Sequence, residues 1–127
     1  MKIKIVKLTL RSSGYEVQDI TAHVAQLVKE NGLENGLAIL YTNERGCSVA
    51  EIEYEPELLA DLETFLQKVG CIDKNICNVL IGKNTFVPVV HSSLFLGQFK
   101  NIVFVDVSRV DGEKSLVIVL EGIFKNN

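Results

Sequence analysis

Residues Gly36 to Asp61, GLAILYTNERGCSVAEIEYEPELLAD, constrain the fold of this chain more than any other stretch. Leu37 to Tyr41 is a short unbroken apolar run, the pattern of a strand buried on both faces. A polar loop, Thr42-Asn43-Glu44-Arg45-Gly46, follows it. Ser48 to Tyr54 then alternates, with Ala50, Ile52 and Tyr54 on one face and Val49, Glu51 and Glu53 on the other. Pro56 suits the first turn of a helix, and Glu55, Glu57 and Asp61 favour the positive end of its dipole. That helix is predicted to reach Val69. Leu58, Leu62, Phe65, Leu66 and Val69 form its apolar stripe, and Gly70 stops it.

The flanking sequence is mostly strand. Lys2 to Leu10 has a near two-residue period with a slip at Val6, which predicts a half-buried strand with a bulge there. Gly14 marks a turn into a short partner strand at Tyr15 to Asp19. Thr21 is the expected N-cap of a helix to Asn31, with Val24, Leu27 and Val28 on one face and Gly32 as its stop. His23 falls off that stripe, on the solvated side. Asn78 to Ile81 and Thr85 to Val90 read as strands around Gly82-Lys83-Asn84, with Pro88 at an edge or bulge. Leu94 to Gly97 is a short extended piece. Ile102 to Val107 and Ser115 to Leu120 read as strands joined in a hairpin at Asp111-Gly112. Two helices interrupt a series of strands rather than alternate with them. The expected class is α+β, with mainly antiparallel sheets in a sandwich-like arrangement.

The 127 residues are expected to form a single domain over 1–127. A hydrophobic content of 47% excludes a disordered chain. The net charge of −3 and the lack of a long Lys/Arg run argue against nucleic acid or an anionic membrane as partner. The opening MKIKIVKLTLRSS alternates charged and apolar residues, unlike a signal peptide or a membrane span, so a cytoplasmic location is expected. Cys47, Cys71 and Cys77 lack CxxC spacing and read as reduced, buried thiols, with a Cys71–Cys77 bridge as the alternative.

Several short motifs, in order, resemble the YjbQ-like family. Asp19-Ile20-Thr21 resembles its "DIT" helix opening, and Asn31 to Leu37 its turn into the buried strand. Glu53-Tyr54-Glu55-Pro56 resembles its "NE…DP" junction. Leu80-Ile81-Gly82 with Val87-Pro88-Val89 resembles its "LLG…vPv" strand pair, and Leu96-Gly97 the start of "LGxWQ". Asp106 and Arg109 stand near its closing acidic and arginine residues. The resemblance implies a YjbQ-like fold, a homotrimer, and a site for secondary thiamine-phosphate synthase chemistry with a divalent metal.

The site motifs depart from that pattern. The family's HTTA histidine falls at Asn43 or Glu44, and the stretch Cys71 to Asn78 lacks the histidines of its N-A-x-A-H motif. Phe99 and Lys100 replace the tryptophan and glutamine of LGxWQ. Imidazoles that ligate metals or exchange protons near neutral pH are therefore missing. The expectation is a non-catalytic or functionally diverged protein, with no cofactor or metal, that binds a small polar or anionic ligand. Its candidate residues are Asn43, Glu44, Arg45, Glu53, Lys100 and Arg109. The alternative is a weak thiamine-phosphate synthase-type enzyme drawing its chemistry from Glu53, His91 and Lys100. His91-Ser92-Ser93 lacks the spacing of a hydrolase triad, and no P-loop, dinucleotide fingerprint or HExxH motif occurs.

Overall fold

Period-two alternation sorts the strands of this chain into two antiparallel sheets. The computed structural model describes residues 1–53, 55–68 and 82–125. Among these the order is β1 (Lys2–Ser12), β2 (Glu16–Asp19), α1 (Thr21–Glu30), β3 (Leu33–Tyr41) and β4 (Cys47–Glu53). Then come α2 (Pro56–Lys68), β5 (Asn84–Val90), β6 (Ser93–Leu94), β7 (Lys100–Asp106) and β8 (Gly112–Phe124). One sheet runs β1-β8-β3-β5-β6 and the other β2-β7-β4.

The inner faces of the two sheets share the main core. Ala38, Leu40, Leu116, Ile118 and Leu120 from the larger sheet pack with Val49, Ile102 and Phe104 from the smaller. Val24 and Val28 of α1 join this core. The other face of the smaller sheet carries Val103 and Val105, with Val107 just beyond, and packs with Ala50, Ile52 and Leu62 of α2. Strand β7 is thus buried on both faces, as its continuous apolar run requires. The architecture is α+β with mainly antiparallel strands.

Several local expectations change in three dimensions. Strand β1 has no bulge at Val6, because its register with β8 is unbroken from Lys2↔Gly122 to Ser12↔Gly112. Val6, Leu8 and Leu10 pack toward the core, while Ile3 and Ile5 take the opposite, exposed face. The slip reflects two apolar faces rather than a kink. Strand β2 pairs with β7, not β1. Ile20, not Thr21, occupies the N-cap of α1. Thr21 instead donates through Oγ1 to Asp19 Oδ1 at 2.6 Å and accepts the Ile102 amide at 2.9 Å. No hairpin joins β7 to β8. Strand β7 pairs with β2 and β4, β8 pairs with β1 and β3, and Val107 to Asp111 crosses between the sheets.

In α2, Leu62 is half-buried, whereas Leu58 and Phe65 are exposed. The side chain of Leu66, and Val69, the Gly70 stop, Tyr54, Cys71, Cys77 and the strand expected at Asn78 to Ile81, lie outside what is described. His23 is exposed, and Cys47 is a buried free thiol. Most of β5 remains an edge, because β6 pairs only with Val89 and Val90, and there Pro88 is tolerated.

The outer face of the larger sheet is apolar as well. Cross-strand register lines up Ile5, Val119, Ile39 and Phe86 in one row over four strands. At its ends Ile5 is 70% and Phe86 65% exposed. Strand β3 is therefore buried on its inner face only, and its outer residues Leu37 and Ile39 are half-covered.

Candidate functional site

The loop Thr42–Gly46 is tied to the start of β8 by its own side chains. Thr42 Oγ1 donates to the Ser115 carbonyl at 2.9 Å and accepts the Glu44 amide at 3.2 Å. The half-buried Glu44 turns its carboxylate inward, where Oε2 accepts the Ser115 amide at 2.7 Å. Lys83 supports the loop from below, donating to the carbonyls of Glu44 and of Cys47. Asn43 and Arg45 are exposed at the surface of the same loop. Glu44 and Ser115 line a polar concavity of 230 Å³ together with Lys7, Thr9, Glu113 and Lys114.

The other candidate residues lie elsewhere. Glu53 and Lys100 are cross-strand partners where β4 ends and β7 begins, both exposed. Six residue steps of β4 separate Glu53 from Cys47, roughly 20 Å at the rise of an extended strand. The loop residues and the Glu53–Lys100 pair thus sit at opposite ends of the smaller sheet. Arg109 follows β7 with a φ of +62° and lays its guanidinium 4.8 Å over the Tyr15 ring. His91 is exposed on the β5–β6 turn at φ +51°, where its amide donates to Asn35 Oδ1 at 3.1 Å.

A second polar cluster lies buried beneath the loop around Asp106, a motif residue whose partners the sequence did not reveal. Asp106 Oδ2 accepts from Ser12 Oγ at 2.6 Å and meets Lys114 Nζ at 3.2 Å. Its Oδ1 accepts the Ser108 amide at 2.8 Å. Burial pushes the Asp106 carboxyl upward, but hydrogen bonds from Ser12, Ser108 and Cys47 outweigh it and hold the group below the ordinary carboxylate value. The Cys47 thiol is pushed up to about 12 by burial, reinforced by the Asp106 charge beside it. Burial also lowers Lys83, against the opposing pull of Cys47 and Glu44. A neutral thiol and a carboxylate with both oxygens engaged make a clamp between sheets rather than a nucleophile and base. The available signal was a single acid inside the apolar run Ile102 to Val107.

Among the described residues, no three His, Cys, Asp or Glu side chains converge in a way that could hold a metal ion. The carboxylates nearest the loop are poor donors for one, because Glu44 is capped by Ser115 and Asp106 by Ser12, Ser108 and Lys114. No described helix is long and apolar enough to cross a membrane.

The family model for UPF0047 protein YjbQ-like matches residues 6–122. A UPF0047 protein of Methanothermobacter thermautotrophicus is 28% identical over 129 aligned positions, covering 91% of this chain and 88% of the relative. A YbjQ-like protein of unknown function from Sulfolobus solfataricus superposes with a TM-score of 0.85 at 21% identity, covering 96% of this chain and 99% of the other. A hypothetical protein from Aeropyrum pernix K1 gives 0.82 at 26% identity, covering 94% and 99%. With the family pattern spanning the strands, both helices and the loop described above, this chain belongs to the UPF0047, YjbQ-like family.

Proposed function

We propose that this protein is a functionally diverged, non-catalytic YjbQ-like protein of the cytoplasm that assembles as a homotrimer and holds a small polar or anionic ligand at the Thr42–Gly46 loop. The observation that carries this reading is the inward-turned Glu44. Where the family pattern has a histidine this loop carries Asn43 or Glu44, and the Glu44 carboxylate, bound to Ser115, lines a concavity with Lys7, Thr9, Glu113 and Lys114. Such a lining offers donors and acceptors but no imidazole to exchange a proton near neutral pH. Asn43 and Arg45, exposed on the same loop, add a donor and a positive charge for an anion. The apolar outer face of the larger sheet supports self-association.

A weak thiamine-phosphate synthase-type activity is the second reading. It is favoured by one observation, the exposed Glu53–Lys100 cross-strand pair, an acid and a base side by side.

The test combines turnover with binding. Purified protein is expected to form no thiamine phosphate from the phosphorylated precursors. Inorganic phosphate or glycine is expected to shift the Thr9 and Ser115 amide resonances saturably, and Lys7→Met to abolish that response. Turnover that disappears in Glu53→Ala would replace this reading with the second. No saturable shift with either probe would remove the ligand from the proposal.

A further inference from the structure

A cavity of 280 Å³ lies between α2 and the outer face of the smaller sheet. Val17, Val105 and Val107 form its sheet side, and Leu59, Ala60 and Leu62 its helix side. Among the described residues its lining contains no lysine or arginine. Of its three acids, Asp106 has its carboxylate engaged by Ser12, Ser108 and Lys114. The other two are Glu16, half-buried with Oε1 accepting the Ser13 amide at 2.7 Å, and Glu63, exposed. Tyr15 completes that edge, its hydroxyl directed to the Glu63 carbonyl at 3.5 Å. Arg109 already places a guanidinium 4.8 Å over the Tyr15 ring, so this edge holds a cation within the protein's own chain.

We propose that this cavity binds a small amphipathic amine, with an apolar body between α2 and the valines and a cationic head at the Glu16–Glu63 edge. The size fits such a body. An apolar cavity of about 150 Å³ takes benzene, so 280 Å³ takes a substituted single ring or a fused pair. The charge pattern selects the head, because Glu16 and Glu63 against the single Arg109 guanidinium leave this edge net negative, so a carboxylate ligand would be repelled and a neutral one would forgo the attraction. This site is independent of the polar concavity at Ser115, with which it shares no lining residue.

Phenethylamine, 2-phenylethanol and 3-phenylpropionate carry one apolar body under positive, neutral and negative heads. Each is titrated into the full chain while the methyl resonances of Val17, Val105 and Val107 are followed. Phenethylamine is expected to shift them saturably, about tenfold more tightly than the alcohol, with no response to the carboxylate. Glu63→Gln should bring the amine close to the alcohol. Ala60→Phe places a ring in the cavity from the exposed side of α2 and should abolish binding of both. Its fold is checked by the unchanged phosphate or glycine response at Thr9 and Ser115, or by circular dichroism if that response is absent in the parent. Equal binding of all three probes, no saturable methyl shift, or full binding by a folded Ala60→Phe would each overturn the assignment.

Discussion

The carboxylate of Asp106 is taken out of water between two sheets, and its charge is held there by partners from three parts of the chain. Ser12 ends β1, Ser108 follows β7, and Lys114 lies near the start of β8. Its folded-state pKa lies below the unfolded carboxylate value of about 3.9. Ionisation therefore favours the fold. The contribution is complete above that unfolded value and is lost as pH falls through the folded one. Asp106→Asn leaves the buried Lys114 ammonium without its counter-charge, and is expected to cost about 3–5 kcal/mol at neutral pH. Urea unfolding of parent and variant at neutral pH and near pH 2 checks this, and the gap between them should narrow on acidification. The sequence shows Asp106 as an anomaly in an apolar run, but not its partners, which lie up to 94 residues away.

At the scale of elements, β3 and β8 approach closely at two glycines. Gly36 and Gly122 are cross-strand partners, and Gly122 adopts a φ of +149°. A Cβ on Gly36 would fall on the Glu121 carbonyl, and one on Gly122 on the Asn35 carbonyl. Gly122→Ala is expected to cost about 2–4 kcal/mol through overpacking and backbone strain. Gly82→Ala is the control, because at φ +71° a Cβ there meets none of the described residues and the backbone strain is the cost they leave. Thermal melts of the two variants should separate these terms. The same scale explains the missing hairpin. Asp111-Gly112 has turn chemistry, but that chemistry does not distinguish a return within one sheet from a passage to another. Here Val107 donates to the Gly46 carbonyl and Arg109 to the Gly14 carbonyl, which carry the segment across.

For the whole molecule, the assembly proposal rests on the outer face of the larger sheet. The Ile5–Val119–Ile39–Phe86 row is flanked on one side by Ile3, Leu37 and Pro88 with Glu121 among them, and on the other by Val117 and Tyr41 between Lys7 and Asn84. An apolar row across four strands, rimmed by charged and polar residues, is more typical of an interface than of a surface kept in water. Phe86→Glu places a charge at its exposed edge, where the fold does not depend on the ring. Light scattering is expected to give a trimer for the parent and a monomer for the variant, with unchanged circular dichroism. A parent that is already monomeric would refute the assembly proposal.

The sequence by itself determined the class of the fold, both helices and most of the strands, because periodicity, Pro56, Gly32 and the apolar runs act within a few residues of one another. It also carried the family, through short motifs in order. Tertiary structure alone decided which sheet each strand joins and that β1 has two apolar faces rather than a bulge. It alone turned Glu44 inward onto Ser115 and separated Glu53 and Lys100 from the loop by the length of β4. These are long-range pairings, fixed by how two sheets and a helix divide the burial of apolar surface, and no local pattern encodes that division.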